Sequence, residues 1–87
     1  MRVGGRDLRA VWWAEQGVGF VDQRRLPASL DFAVARDVEE VARAIEQMAV
    51  RGAPAIGVLA AYGLALAARR GVAPDRAAAR LLATRPT

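Results

Sequence analysis

Residues 52–68 carry no charge, with Arg51 on one side and the pair Arg69-Arg70 on the other. A helix that is uncharged all round is buried on most of its sides, so the remainder of the chain has to cover this run. Pro54 stands where a helix tolerates proline best, at the first position, where its missing N–H costs nothing. Arg69 and Arg70 suit the negative end of the helix dipole, and Gly71 supplies a stop. The pattern predicts a helix over about residues 54–70. The run falls short of the ~20 apolar residues a membrane span needs, and much of it is alanine and glycine. A buried core helix is the reading, with no membrane partner.

The elements available to cover it lie on both sides. Residues 1–35 read as β structure. Val11, Trp12, Trp13 and Ala14 form one short strand, a turn falls at Glu15-Gln16-Gly17, and residues 18–21 resume extended character. A hairpin whose loop depends on Gly17 is expected. Leu30, Phe32 and Val34 alternate with Asp31, Ala33 and Ala35, the period of a third, half-buried strand. Trp12 and Trp13 point to opposite faces of such a strand, so at most one joins the core. A half-exposed anchor describes the other more simply than a stacking platform does.

Asp37 reads as a helix N-cap, with Glu40 three residues on in a capping-box arrangement. Val38, Val41, Ile45 and Met48 then recur at helical spacing, and Glu39 and Arg43 are ordered for an i,i+4 pair. Within the central helix, Val58, Leu59, Tyr62 and Leu66 are assigned to one side. Gly57, Ala60, Ala61, Ala65 and Ala68 are assigned to a small-residue side, and Gly57 and Gly63 each need a packing reason. A last helix starts at Pro74-Asp75, packs through Ala77, Ala78, Leu81 and Leu82, turns Arg76 and Arg80 outward, and stops before Pro86. The expected architecture is α+β: a small antiparallel three-stranded sheet over about residues 10–35, then helices over about 37–49, 54–70 and 74–84.

Composition narrows the chemistry. The chain has 87 residues, no cysteine and no histidine, so thiolate chemistry is absent and the commonest acid–base group is missing. Only carboxylates remain as metal ligands, which leaves no zinc site. The net charge is +4 and every basic residue is arginine. These arginines are scattered rather than gathered on one face with aromatics, which argues against a nucleic-acid partner. The N-terminus lacks the apolar core of a signal peptide, which points to a cytoplasmic protein.

The turn ahead of Pro54 is the remaining candidate. Gly52 and Ala53 stand where free backbone N–H groups gather at the positive end of a helix dipole, and Arg51 adds a forked cationic donor. That combination suits an anion, most naturally a phosphate. On chemistry alone, an interhelix turn with an exposed arginine is the simpler reading. Arg24-Arg25 offers a second candidate anion contact, read more simply as a solvated loop pair.

The wording of three segments goes further. They are V-D-Q-R-R-L-P at 21–27, V-R-G-A-P-A-I-G-V-L-A-A-Y-G-L-A-L at 50–66 and T-R-P-T at 84–87. Together they resemble the methylthioribose-1-phosphate isomerases of methionine salvage, which share their architecture with subunits of initiation factor 2B. The resemblance implies that Arg51, Gly52 and Ala53 hold the phosphate of a sugar phosphate and that Arg85 contacts the same substrate. It also implies that residues 1–87 are the N-terminal domain of a larger two-domain α/β enzyme, a homodimer when full-length, whose Rossmann-like second domain carries the catalytic cysteine and aspartate. On that basis no catalytic residue lies in this chain, which is inactive alone, and neither a cofactor nor a metal is implied. A ribose-1,5-bisphosphate isomerase and a non-catalytic regulatory subunit of the initiation-factor type are the alternatives. A complete small protein binding phosphate metabolites or a partner helix is a third.

Overall fold

The computed structural model describes residues 2–3, 6–7, 10–50 and 52–84, with the side chains of 10–50, 52 and 54–84. Strands β1 (Arg2–Val3) and β2 (Arg6–Asp7) form a small antiparallel ladder. Strands β3 (Val11–Ala14), β4 (Gly17–Asp22) and β5 (Asp31–Ala35) form the main antiparallel sheet, in that order. Three helices follow: α1 (Val38–Glu46), α2 (Ala53–Arg69) and α3 (Pro74–Leu82). The expected α+β arrangement of three strands and three helices is present.

One face of the sheet carries Val11, Val18, Phe20 and Ala35 against the helices, where they join Val41, Ala42 and Ile45 of α1, Leu59 and Leu66 of α2, and Leu81 of α3. The ladder pairs Val18 with Ala35 and Phe20 with Ala33, so β5 meets the helices through alanines. Phe32 and Val34 are thereby turned to the outer face, Phe32 being 62% exposed. The strand that alternation predicts is real, but its buried side is the small one: an alanine pair lets α1 approach closely where Phe and Val would hold it off. On the outer face Trp12 lies over Gly19 and meets the Phe32 ring edge-on at 5.8 Å. Trp13, on the helix side, meets the Tyr62 ring at a 48° tilt, 4.9 Å between centroids, and lies under the Arg69 guanidinium at 4.5 Å. Neither tryptophan enters the fully buried core.

The hairpin loop is the pair Glu15-Gln16, with Gly17 already paired to Ala14. Gly17 matters through crowding rather than turn geometry, since a Cβ there would collide with the Ala35 carbonyl. Strand β4 gives way at Asp22 to a short 3-10 turn over Gln23–Arg25.

Asp37 caps α1 as expected, its Oδ1 accepting from the Glu40 amide at 2.8 Å. Glu40 reaches back one residue further than a capping box requires, accepting from the Arg36 amide at 2.6 Å. The Glu39–Arg43 pair forms at 3.4 Å. Helix α3 corrects the expectation for Arg80. Instead of facing out, it spans to α1 and donates to both Glu39 oxygens at 2.8 Å and to Glu46 at 2.9 and 3.1 Å. Leu81 is buried and Leu82 exposed.

Helix α2 is less covered than its composition predicts. Leu59, Gly63, Leu66 and Ala67 are buried and Tyr62 is half-buried, but Val58 joins Gly57, Ala61, Leu64, Ala65 and Ala68 on an exposed side. Gly63 has the expected packing reason, because an added Cβ would stand 2.9 Å from Val41 Cγ1, whereas Gly57 faces open space. No helix among the described residues is long and apolar enough to cross a membrane.

Candidate functional site

The connection from α1 to α2 delivers the candidate anion-binding turn. Helix α1 ends with Gln47 as C-cap. The Met48 amide then donates to the Ile45 carbonyl at 3.1 Å and the Ala49 amide to the Ala44 carbonyl at 2.9 Å, the paired bonds of a Schellman ending. That motif needs a left-handed residue, and Met48 adopts it with φ of 59°. Met48 therefore does not continue the apolar face of α1: it leaves the helix and its side chain is 59% exposed. Next, the Ala49 carbonyl accepts from the Gln23 amide at 2.7 Å, stitching the segment to the end of β4. Ala49 and Val50 are buried, so the chain reaches Gly52 from a fixed base.

Gly52 is the N-cap of α2, exposed, with φ 90° and ψ 135°. An L side chain rarely adopts this conformation, so the position requires glycine although nothing crowds it. Ala53 and Pro54 follow as the first helical residues. No side chain caps this helix and its first turn holds no acid. Helix α1, by contrast, is capped by Asp37 and followed by Glu39 and Glu40, and α3 carries Asp75 in its first turn. Among the described helices, α2 alone leaves its positive end without a carboxylate. An anion from elsewhere would find there oriented N–H groups and no competing charge.

Of the four residues expected to bind substrate, Gly52 and the backbone of Ala53 are described and sit together at this end. Arg51 and Arg85 lie outside the described residues. The chain leading to Arg85 is defined as far as Thr84. That residue is buried, its hydroxyl donates to the Leu81 carbonyl at 2.6 Å, and its amide donates to the same carbonyl at 3.2 Å. Thr84 lines a groove of about 350 Å³ whose opposite wall includes Ile56 and Gly57 from the first turn of α2. The described end of α3 and the first two turns of α2 thus border one hollow, otherwise lined by Ile45, Ala60, Leu64, Ala78, Leu81 and Leu82.

Arg24, the other candidate anion contact, is already engaged. Its guanidinium donates to both Asp22 oxygens, at 2.6 and 3.0 Å, and to Gln47 Oε1 at 3.1 Å. Those bonds to Asp22 hold its carboxyl below the ordinary range. Arg24 therefore ties the 3-10 turn to the end of α1 beside the Ala49 stitch. Among the described residues no group of three or more His, Cys, Asp or Glu could hold a metal ion. Sequence reading placed Met48 on the apolar face of α1 and missed its role in the turn, because a left-handed methionine has no signature in the sequence.

No protein-family model matches the chain. It is 50% identical over 92 residues to methylthioribose-1-phosphate isomerase of Methylocella silvestris, covering 100% of this chain and 25% of that protein. It is 49% identical over 89 residues to the enzyme of the same name from Herpetosiphon aurantiacus, covering 92% and 25%. Among solved structures, 5-methylthioribose 1-phosphate isomerase from Pyrococcus horikoshii OT3 matches with a TM-score of 0.83 and 41% identity over 91% of this chain and 25% of that one. Subunit delta of translation initiation factor eIF-2B from A. fulgidus matches with a TM-score of 0.80 and 42% identity, over 93% and 26%. The chain spans about a quarter of the length of these relatives. In sequence and in fold it belongs to the family of the methylthioribose-1-phosphate isomerases and their initiation-factor relatives.

Proposed function

We propose that residues 1–87 form the N-terminal, phosphate-holding domain of an aldose–ketose isomerase that converts 5-methylthioribose 1-phosphate to 5-methylthioribulose 1-phosphate. The observation that carries this reading is 50% identity across the whole chain to a protein named for that substrate. The bare N-terminus of α2 supports it. Gly52 and Ala53 offer backbone N–H groups to the phosphate, and Arg51 and Arg85 supply cationic, two-pronged donors.

The reaction explains why a clamp matters. Phosphate on the anomeric oxygen blocks ordinary ring opening to a free aldehyde, so the sugar carbons must be held while hydrogen moves from C2 to C1. Fixing the phosphate removes translational and rotational freedom before that step. The resemblance implies that the groups that move hydrogen, a cysteine and an aspartate, belong to a second domain beyond these residues. The same reading makes the full-length protein a cytoplasmic homodimer acting in methionine salvage.

The test is turnover by the protein expressed from its gene, followed as ketose formation from the aldose 1-phosphate. Arg51→Ala should raise KM by about 10- to 100-fold, the worth of a charge-assisted hydrogen bond, with little change in melting temperature. A KM equal to wild type would refute the clamp. The likeness to the eIF-2B subunit favours a second reading, a non-catalytic regulatory subunit, and a wild-type protein that turns over no sugar phosphate would select it.

A further inference from the structure

The two interhelix connections in this chain end their preceding helices in the same way but with different residues. After α2, the Gly71 amide donates to the Ala68 carbonyl at 3.2 Å and the Val72 amide to the Ala67 carbonyl at 2.9 Å, with Gly71 left-handed at φ 76°. After α1, the same pair of bonds forms around Met48. Glycine is the ordinary occupant of this position, because it enters the left-handed region without steric cost. Met48 is the one non-glycine residue with positive φ among those described. Its side chain is mostly exposed, so burial does not offset the strain.

What a Cβ does at such a position is narrow the choice of backbone angles. A left-handed L-residue occupies a small well near φ of about 57°, whereas glycine spreads over a far wider range. Ala49 and Val50, the next residues, inherit the direction set at Met48. We infer that Met48 is a positioning residue: its Cβ locks the chain direction between α1 and α2 and so holds the Gly52–Ala53 amides at one place for the phosphate. This inference rests on the phosphate-clamp reading above and names the residue that makes the clamp rigid.

The test compares Met48→Gly with Met48→Ala in the protein expressed from its gene. Glycine keeps the Schellman ending but releases the lock, whereas alanine keeps the Cβ and removes only the thioether arm. For Met48→Gly we expect KM raised about tenfold with kcat little changed, the effect of loosening one amide–phosphate hydrogen bond. The NMR order parameters of the Gly52 and Ala53 amides should fall in the same variant. Met48→Ala should match wild type in both readouts. Wild-type KM and amide order in Met48→Gly would overturn the proposal. So would a Met48→Ala variant as impaired as Met48→Gly, since the acting group would then be the thioether. If the wild-type protein turns over no sugar phosphate, the isomerase reading fails, while the amide measurement still decides whether Met48 locks the turn.

Discussion

Helix α2 contains two glycines whose replacement by alanine should act with opposite sign. Alanine is favoured over glycine in a helix interior by about 0.8–1.0 kcal/mol. At Gly57 an added Cβ meets nothing within 4 Å, so Gly57→Ala should keep that whole gain. For a chain of this size the melting temperature should rise by about 4–8 °C per kcal/mol. At Gly63 the same Cβ would stand 2.9 Å from Val41 Cγ1 and 3.4 Å from Val41 Cβ. Val41 is fully buried and β-branched, so it cannot swing aside as a long flexible side chain would. Overpacking of this kind costs about 1–3 kcal/mol. Set against the propensity gain, Gly63→Ala should be less stable by about 1 kcal/mol, and the two variants should differ by about 2 kcal/mol. Thermal and urea denaturation of both proteins measures the difference. A cycle with Val41→Ala isolates its cause. Removing the offending methyls should make Gly63→Ala favourable again, with a coupling of about 1–2 kcal/mol. If Gly63→Ala raises the melting temperature as much as Gly57→Ala, or if no coupling to Val41 appears, the close approach of α1 to α2 is not what that glycine serves.

Two further tests bear on how the helices are held. Arg80 donates to Glu39 and Glu46, and these bonds hold both carboxyls below the ordinary glutamate value of 4.5. A carboxylate whose folded pKa is depressed adds stability that is complete above its unfolded pKa and is lost as pH falls through the folded one. The gap in melting temperature between wild type and Arg80→Ala should therefore be widest at neutral pH and close as pH drops below 4.5; a gap constant from about pH 7 to about pH 3 would remove this clasp from the account. Asp37→Ala should cost about 1 kcal/mol through loss of its bond to the Glu40 amide, read as a lower urea midpoint at unchanged slope.

Local chemistry made much of this fold readable. Asp37, Pro54, Gly71 and Pro74 mark helix ends through backbone preferences that hold wherever they occur, and the structure puts helix ends at or beside each. Sidedness was harder to read. Alternation around Phe32 and Val34 identifies a strand but not which side is inward, and here the need for a close α1–sheet approach selected the alanines. Arg80 was assigned outward because arginine prefers water, yet its reach allowed the Glu39 and Glu46 carboxylates on α1 to draw it across. In the site, Gly52 was legible because Pro54 marks a helix start and so puts Gly52 at its N-terminal turn. Met48 was not, since a methionine in helical register gives no hint that it has left the helix.

The far end of α2 is moored by Arg70, which donates to the Gln16 carbonyl at the hairpin tip at 2.9 Å and to the Arg36 carbonyl ahead of α1 at 3.2 Å. Its 17 residues make a rod about 25 Å long, with the mooring at one tip and Gly52 at the other. Leverage follows from that length. A tilt of about 5° at the moored tip would displace the opposite tip by about 2 Å. Arg70 thus bears, through the length of the helix, on where the turn at the opposite tip stands.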